Sequence, residues 1–327
     1  MKIAIVGTGK IVEDVLPHLA GWGWETAAVC ATARSAEKGR ALAAQCGQPP
    51  VYTDYAAMLE GAEADAVYIA VPNSLHTEMA RQALRAGWNV IAEKPMSSNL
   101  REAEELAALA EVRRLFLYEA VTTVYQPDYA ALREQLPQVG EVRLVSCNFS
   151  QYSSRYDAFR RGEVPAAFDP ARSGGALMDL NLYNFHWLAG LFGEPEELAY
   201  SANVERGIDT SGVVTLRYPG FQAVSIAAKD CSAPSRYVIQ GAEGCLTQDT
   251  PANLCGAVTL RRKDGGVERF HTPVEHRMEM EFRAFARQMQ AGDLAACYEM
   301  LRRSLLVSGL LTRARQSAGI RFPADRA

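Results

Sequence analysis

Over its first third the chain alternates short apolar runs with amphipathic stretches, the pattern of a parallel sheet wrapped by helices. Ile3 to Val6 predicts a buried strand and Ile11 to Ala20 the helix after it, with Pro17 a disturbance near its end. Ala27 to Ala31 predicts a second strand, Ala36 to Cys46 a helix capped by Gly47, and Ala66 to Val71 a strand stopped by Pro72. Leu75 to Ala86 reads as the next helix, ended by Gly87, and Asn89 to Ala92 as a strand leading into Glu93-Lys94-Pro95. Asn99, with Glu102 three residues on, opens a helix to Ala110, and Leu115 to Tyr118 closes the series as a buried strand.

The pattern changes near residue 122. Val142 to Phe149 alternates, Val213 to Tyr218 and Phe221 to Ala227 flank a Pro219-Gly220 turn, and Tyr237 to Gln240 and Val258 to Arg261 add strands. Such runs predict a mostly antiparallel sheet with one face open to helices, a partner subunit or a ligand. Met278, Phe282, Phe285 and Met289 form one face of a late helix, and Leu301, Leu305 and Val307 to Leu311 belong to another; core packing is the expected use of both. The predicted fold is an α/β, Rossmann-type domain over residues 1–122 followed by an α+β domain over 123–327. Part of the tail beyond Met278 is expected to pack back on the first domain.

Composition narrows the function classes. The 327 residues exceed one ordinary core, and 48% hydrophobic with 22% charged residues is globular usage. A net charge of -4 leaves no surplus to neutralise phosphates, so no nucleic-acid partner is expected. No apolar run approaches the roughly 20 residues of a spanning helix, so no membrane is expected either. The seven cysteines, an odd number without a C-x-x-C pair, suit reduced thiols and a cytoplasmic protein rather than a disulfide framework or zinc ribbon. The apolar start runs directly into Gly7-Thr8-Gly9 without a cleavage site, so the first residues are expected to belong to the fold. His271 and His276 are five apart with no cysteine cluster beside them, and no metal site is expected.

Gly7-Thr8-Gly9-Lys10-Ile11-Val12 follows the first strand and opens the first helix, where backbone N–H groups can meet a pyrophosphate. Val12 stands where the third glycine of such a turn usually sits. At the end of the second strand, Cys30-Ala31-Thr32-Ala33-Arg34-Ser35 lacks the carboxylate that would bind the ribose hydroxyl of NAD. Arg34, Ser35 and Lys38 could instead bind a 2'-phosphate, which favours NADP over NAD; alternatively Arg34 is a solvated loop residue or stacks on the adenine.

Three further segments, in order, are Val71-Pro72-Asn73-Ser74-Leu75-His76, Glu93-Lys94-Pro95, and the stretch from Gly174-Gly175 through Asp179 to Tyr183. Together with the glycine turn they resemble the Gfo/Idh/MocA family of oxidoreductases, in particular its dihydrodiol dehydrogenase and glucose-fructose oxidoreductase branches. The resemblance implies a nucleotide-binding domain, then an open-faced, mostly antiparallel sheet, with the active site at their junction. It also implies subunit contacts through the large sheet, hence a homodimer or homotetramer. The cofactor would be held by Gly7, Thr8, Gly9, Lys10, Ile11, Arg34 and Ser35, with Val71, Pro72, Asn73, His76, Glu93 and Lys94. In the family the Lys-Pro bond is often cis.

Asp179 and Tyr183 are four apart, so a helix would present both on one face. Many members carry histidine where Tyr183 stands; the resemblance makes Tyr183 the proton donor and acceptor. A phenol with an ordinary pKa near 10 needs the Lys94 ammonium to act as a base at neutral pH. His186 is a rival acid, although its neighbours Phe185 and Trp187 suit a packed histidine. Asn181 replaces the usual glycine of the motif, and Arg155, Tyr156, Phe168 and Asn181 are candidate substrate contacts. The expected function is hydride transfer between NADP(H) and a CH–OH or carbonyl carbon of a sugar, polyol or dihydrodiol, a small-molecule substrate. The competing functions are an NAD-dependent glycoside hydrolase of the same fold and a non-catalytic sensor of nicotinamide redox state.

Overall fold

The computed structural model describes residues 1–326, which divide into two compact units. Unit 1 comprises Met1–Ala120 and Met278–Leu305; unit 2 comprises Val121–Arg277 and the chain from residue 306 onward. The return of residues 278 to 305 to unit 1 means that the chain is not divided by a single cut near residue 122.

Unit 1 is built on six strands: β1 (Lys2–Val6), β2 (Glu25–Cys30), β3 (Val51–Tyr52), β4 (Ala66–Ile69), β5 (Asn89–Glu93) and β6 (Leu117–Ala120). They pair in parallel in the order β3-β2-β1-β4-β5-β6, so the order of the strands reverses between β1 and β4. Strands buried on both faces explain the continuous apolar runs: β4 is buried at all four positions and β1 at four of five. The first helix departs from expectation. It spans Lys10–Val15 and gives way to a 3-10 stretch, Leu16–Trp22, because Pro17 has no N–H to continue the α ladder. Two further elements, β3 and the helix Tyr55–Gly61 capped by Asp54, lie where no strand or helix was expected. The late stripe is core as expected. Phe282 meets the Tyr68 ring edge-on at 5.3 Å, Phe285 stacks on Tyr118 at 4.3 Å, and the Trp24 indole donates to the Phe282 carbonyl at 2.9 Å.

Unit 2 holds eight strands: β7 (Val142–Ser150), β8 (Glu197–Glu205), β9 (Ile208–Tyr218), β10 (Phe221–Ala228), β11 (Arg236–Gly241), β12 (Gly244–Gln248), β13 (Val258–Arg262) and β14 (Val267–Phe270). Their order is β14-β13-β12-β11-β7-β10-β9-β8, antiparallel throughout except where β10 runs parallel to β7. The Pro219-Gly220 hairpin joins β9 to β10 as expected, with Phe221 opposite Tyr218. One sheet face is covered by the helix Leu182–Phe192, which is buried from Leu182 to Ala189. The tail closes this core: Arg315, fully buried, donates to both carboxylate oxygens of Asp325 at 2.6 and 2.8 Å and lies over the Phe322 ring. Asp325→Ala would leave that guanidinium buried without its counter-ion and should lower unfolding stability by about 3 to 5 kcal/mol in a urea titration. A change below about 1 kcal/mol would mean that the tail pairing contributes little.

Candidate active site

In unit 1 the carboxyl ends of β1, β4 and β5 carry the three short motifs, at the sheet edge where open α/β folds bind ligands. Gly7, at φ +118°, donates its N–H to the Cys30 carbonyl at 2.9 Å; a Cβ there would lie 2.2 Å from the Ala70 carbonyl oxygen. Only glycine lets this turn close against the end of β4. At Gly9, the N-cap of the first helix, a Cβ would meet nothing within 4 Å. Thr8 and Ile11 are half-buried beside it and Lys10 is exposed, so the turn has the open approach that a pyrophosphate requires. Val12 is fully buried, filling with a side chain the space that a third glycine would leave.

Beyond β2 the three candidate phosphate ligands differ in what already engages them. Ser35 is engaged in a reciprocal cap, accepting the Thr32 N–H at 3.1 Å and lying 2.9 Å from the Thr32 hydroxyl. Lys38 pairs with Glu13 at 2.8 Å. Arg34 is exposed, and its guanidinium is uncommitted among the described residues.

Val71 and Asn73 are half-buried and Pro72 is exposed, whereas His76 and Glu93 are structural supports. His76 is 1% exposed, and its ring nitrogens each lie 2.8 Å from a backbone carbonyl, Nδ1 from Pro95 and Nε2 from Val71. It thereby packs between two motif loops rather than offering a face to a ligand; burial pushes its pKa below the ordinary histidine value, and the neutral ring donates to one of the two carbonyls. The buried Glu93 carboxylate accepts the Tyr68 hydroxyl at 2.6 Å and the Lys94 N–H at 3.2 Å. Lys94 is half-buried, and the Lys94-Pro95 bond is cis.

In unit 2 the segment from Gly174 to Tyr183 starts at a buried carboxylate. Asp209 accepts the Leu177 N–H at 2.6 Å and the Tyr200 hydroxyl at 2.8 Å. Gly175, at φ +107°, passes so close that a Cβ would lie 2.1 Å from Asp209 Oδ1. The chain then forms a π-helical turn, Leu177–Asn181, before entering the helix Leu182–Phe192. Asp179 therefore sits in a wide turn and Tyr183 in the α-helix after it, instead of both lying on one α-helix; such π turns recur at functional sites. Asp179 is half-buried, and its Oδ2 accepts from Lys229 Nζ at 2.5 Å. Tyr183 is 6% exposed, with its ring 6.1 Å from that of Phe149.

The candidate substrate contacts divide. Phe168 and Asn181 are fully buried and offer no surface to a ligand. Phe168 stacks on Phe159 at 4.9 Å, and the Asn181 amide oxygen accepts from Ser225 at 2.5 Å and Asn184 at 2.9 Å. Tyr156 is buried with its hydroxyl donating to Glu205 at 2.6 Å, and Arg155 is exposed. His186 is 1% exposed, as the packed reading anticipates. Among the described residues no group of three or more His, Cys, Asp or Glu is arranged to hold a metal ion, and no helix is long and apolar enough to cross a membrane. Lys229 and Asp209 belong to no motif; the available signal for Lys229 was its parity, since Ala223, Ser225 and Ala227 before it all point inward.

The model of an oxidoreductase family with an NAD-binding Rossmann fold matches residues 1–120, and the Gfo/Idh/MocA C-terminal domain matches 131–247. The chain belongs to the Gfo/Idh/MocA family. This family member is 34% identical over 330 residues to scyllo-inositol 2-dehydrogenase (NADP(+)) IolU of Bacillus subtilis, covering 100% of both chains. It is 28% identical to trans-1,2-dihydrobenzene-1,2-diol dehydrogenase of Sus scrofa, over 100% of this chain and 99% of the relative. Among solved structures, the 3-ketoreductase KijD10 from Actinomadura kijaniata, in complex with NADP and TDP-benzene, matches with a TM-score of 0.85 at 26% identity, covering 97% of each chain. The Gfo/Idh/MocA chain is an NAD(P)-dependent oxidoreductase of the dehydrogenase and reductase type.

Gly175→Ala should cost about 2 kcal/mol or more of stability in denaturant unfolding, because both its φ and its contact with Asp209 reject a side chain. An unchanged midpoint would show that the start of the π turn is not held as described.

Proposed function

We propose that the protein interconverts a secondary alcohol and a ketone on a polyol, sugar or dihydrodiol, with NADP as its preferred cofactor. The observation that carries this reading is the construction of unit 2. Asp179 and Tyr183 follow one another across a π-to-α turn that Asp209 anchors, and Lys229 gives Asp179 a counter-ion. The similarity to an NADP-dependent inositol dehydrogenase along the whole chain supports the substrate class.

The bound nicotinamide would supply the acceptor or donor of the hydrogen carried on the substrate carbon. Tyr183 takes the hydroxyl proton at its Oη during oxidation and returns it during reduction. The family resemblance assigns to Lys94 the role of favouring the phenolate and of stabilising negative charge on the substrate oxygen. Asp179 orients the reacting alcohol. Gly7, Thr8 and Gly9 admit the pyrophosphate, assisted by Lys10 and Ile11 at the first helical turn. Val71, Pro72 and Asn73 would help to hold the dinucleotide, and His76 and Glu93 brace the loops that carry them.

Arg34 reads the 2'-phosphate. NADPH is accordingly expected to bind at least about tenfold more tightly than NADH in a fluorescence titration, and Arg34→Ala to remove that preference. Equal affinities for the two cofactors in the unaltered protein would contradict the assignment.

Tyr183→Phe should lower turnover of scyllo-inositol with NADP⁺ by roughly a hundredfold or more while leaving NADPH affinity nearly intact. Unimpaired turnover in that variant would move the proton-transfer role elsewhere.

The same sheet supports a proposal for assembly. The registers put Leu144, Val224, Ile226, Val238 and Val213 on the sheet face opposite the helix, and Leu144 is 50% and Val213 37% exposed. Pairing of two copies through this face, as a homodimer or within a homotetramer, would cover it. The seven cysteines are all free thiols, which fits a reducing, cytoplasmic setting. Leu144→Glu should lower the mass measured by sedimentation, and a monomeric unaltered protein would contradict this mode of assembly.

A further inference from the structure

We propose that Lys229 is a positioning residue of this oxidoreductase, holding the Asp179 carboxylate in the orientation from which it addresses the reacting alcohol. The inference rests on the role given to Asp179 in the preceding subsection, and adds to it a residue outside the family motifs quoted above.

Lysine is rarely buried unless its charge is paired, and the Lys229 side chain is only 3% exposed. It follows β10 on the inward parity of Ala223, Ser225 and Ala227, and its own N–H donates to the Thr210 carbonyl at 2.8 Å. The ammonium is fixed from three directions. Nζ lies 2.5 Å from Asp179 Oδ2, 3.3 Å from the Ala167 carbonyl oxygen and 4.9 Å above the centre of the Phe168 ring. Its charge also reaches Asp209, the carboxylate that anchors the same turn. One cation therefore serves both the anchor and the aspartate two residues beyond Leu177.

The pair is lopsided, with the cation sequestered and the carboxylate still 36% exposed. A buried ion pair of this kind is a poor source of stability, because desolvating the ammonium offsets much of the attraction. What it supplies is direction. A half-exposed aspartate on a π turn has rotamer freedom, and a rigid ammonium beneath it selects one orientation. Phe168, fully buried, contributes as the floor under that ammonium.

The test uses the full-length protein and has two arms. In the first, the nitrogen-15 signal of the Lys229 ammonium, identified by its loss in Lys229→Met, is followed without substrate. Asp179→Asn should shift or broaden it, and a signal indifferent to Asp179→Asn would overturn the inference. In the second, scyllo-inositol oxidation by NADP⁺ is measured in both single variants and the double variant. Lys229→Met should lower kcat by about tenfold or more with NADPH affinity within about twofold of the parent, and should cost nothing further once Asp179→Asn is present. Losses that multiply in the double variant would show that Lys229 acts independently of Asp179 and would overturn the inference. Lys229→Arg, which keeps the charge, should stay within about threefold of the parent kcat. If Lys229→Met does not fold, the ammonium signal, then identified by its loss in Lys229→Arg, decides by itself, and a full loss of turnover in a folded Lys229→Arg protein would count against the inference. A parent protein that oxidises neither scyllo-inositol nor trans-1,2-dihydrobenzene-1,2-diol would defeat the substrate reading instead, and the ammonium signal would then decide for or against Lys229 by itself.

Discussion

Asp209 is fully enclosed in unit 2, yet it accepts the Leu177 N–H and the Tyr200 hydroxyl, and the chemistry-bearing turn begins at that anchor. Burial pushes its carboxyl pKa above the ordinary aspartate value, while the two hydrogen bonds and the nearby Lys229 charge pull the other way. A buried carboxylate is tolerated only when its charge is so answered, and both of these donors converge on Oδ2. Gly175 passes close beside it because no side chain intervenes, and the π turn places Asp179 over Lys229 and starts the helix that carries Tyr183. The side chains expected to do the chemistry are thus held by groups that take no part in it.

Unit 1 uses the same economy with backbone groups. Gly7 closes against the Ala70 carbonyl, His76 lies between two carbonyls, and Glu93 accepts from Tyr68 and the Lys94 N–H. Beside them Gly9 faces open space, and Arg34 is uncommitted among the described residues. A chain with net charge -4 attracts a dinucleotide phosphate through such local features rather than through an overall field.

Much of this was legible in the sequence, for identifiable reasons. The continuous apolar strands of unit 1, the hairpin at Pro219-Gly220 and the stripe from Met278 to Met289 are all local periodicities that burial enforces. What escaped was short, three-dimensional or ambiguous in period. β3 is two residues long, and β12 contains Gly244 and Cys245 where a strand signal was needed. The capture of Lys38 by Glu13 depends on helices folding beside one another, and a π turn reads like any helical turn in an apolar segment such as Leu177 to Tyr183. Phe168 and Asn181 show the opposite failure. Aromatic and amide side chains near a motif suggest ligand contacts, but here they complete the packing beneath it. Lys229 was detectable in principle, as a lysine on the buried parity of β10, although parity alone does not name its partner.

Hydrogen transfer between a carbinol carbon and NADP is the proposed reaction of this protein. The most direct measurement is mass spectrometry of the cofactor after incubation with NADP⁺ and scyllo-inositol deuterated at its ring carbons. The expected product is NADPH carrying one deuterium for each ketone formed. Reduced cofactor without the label, or cleavage of an aryl glycoside with no net cofactor reduction, would contradict it.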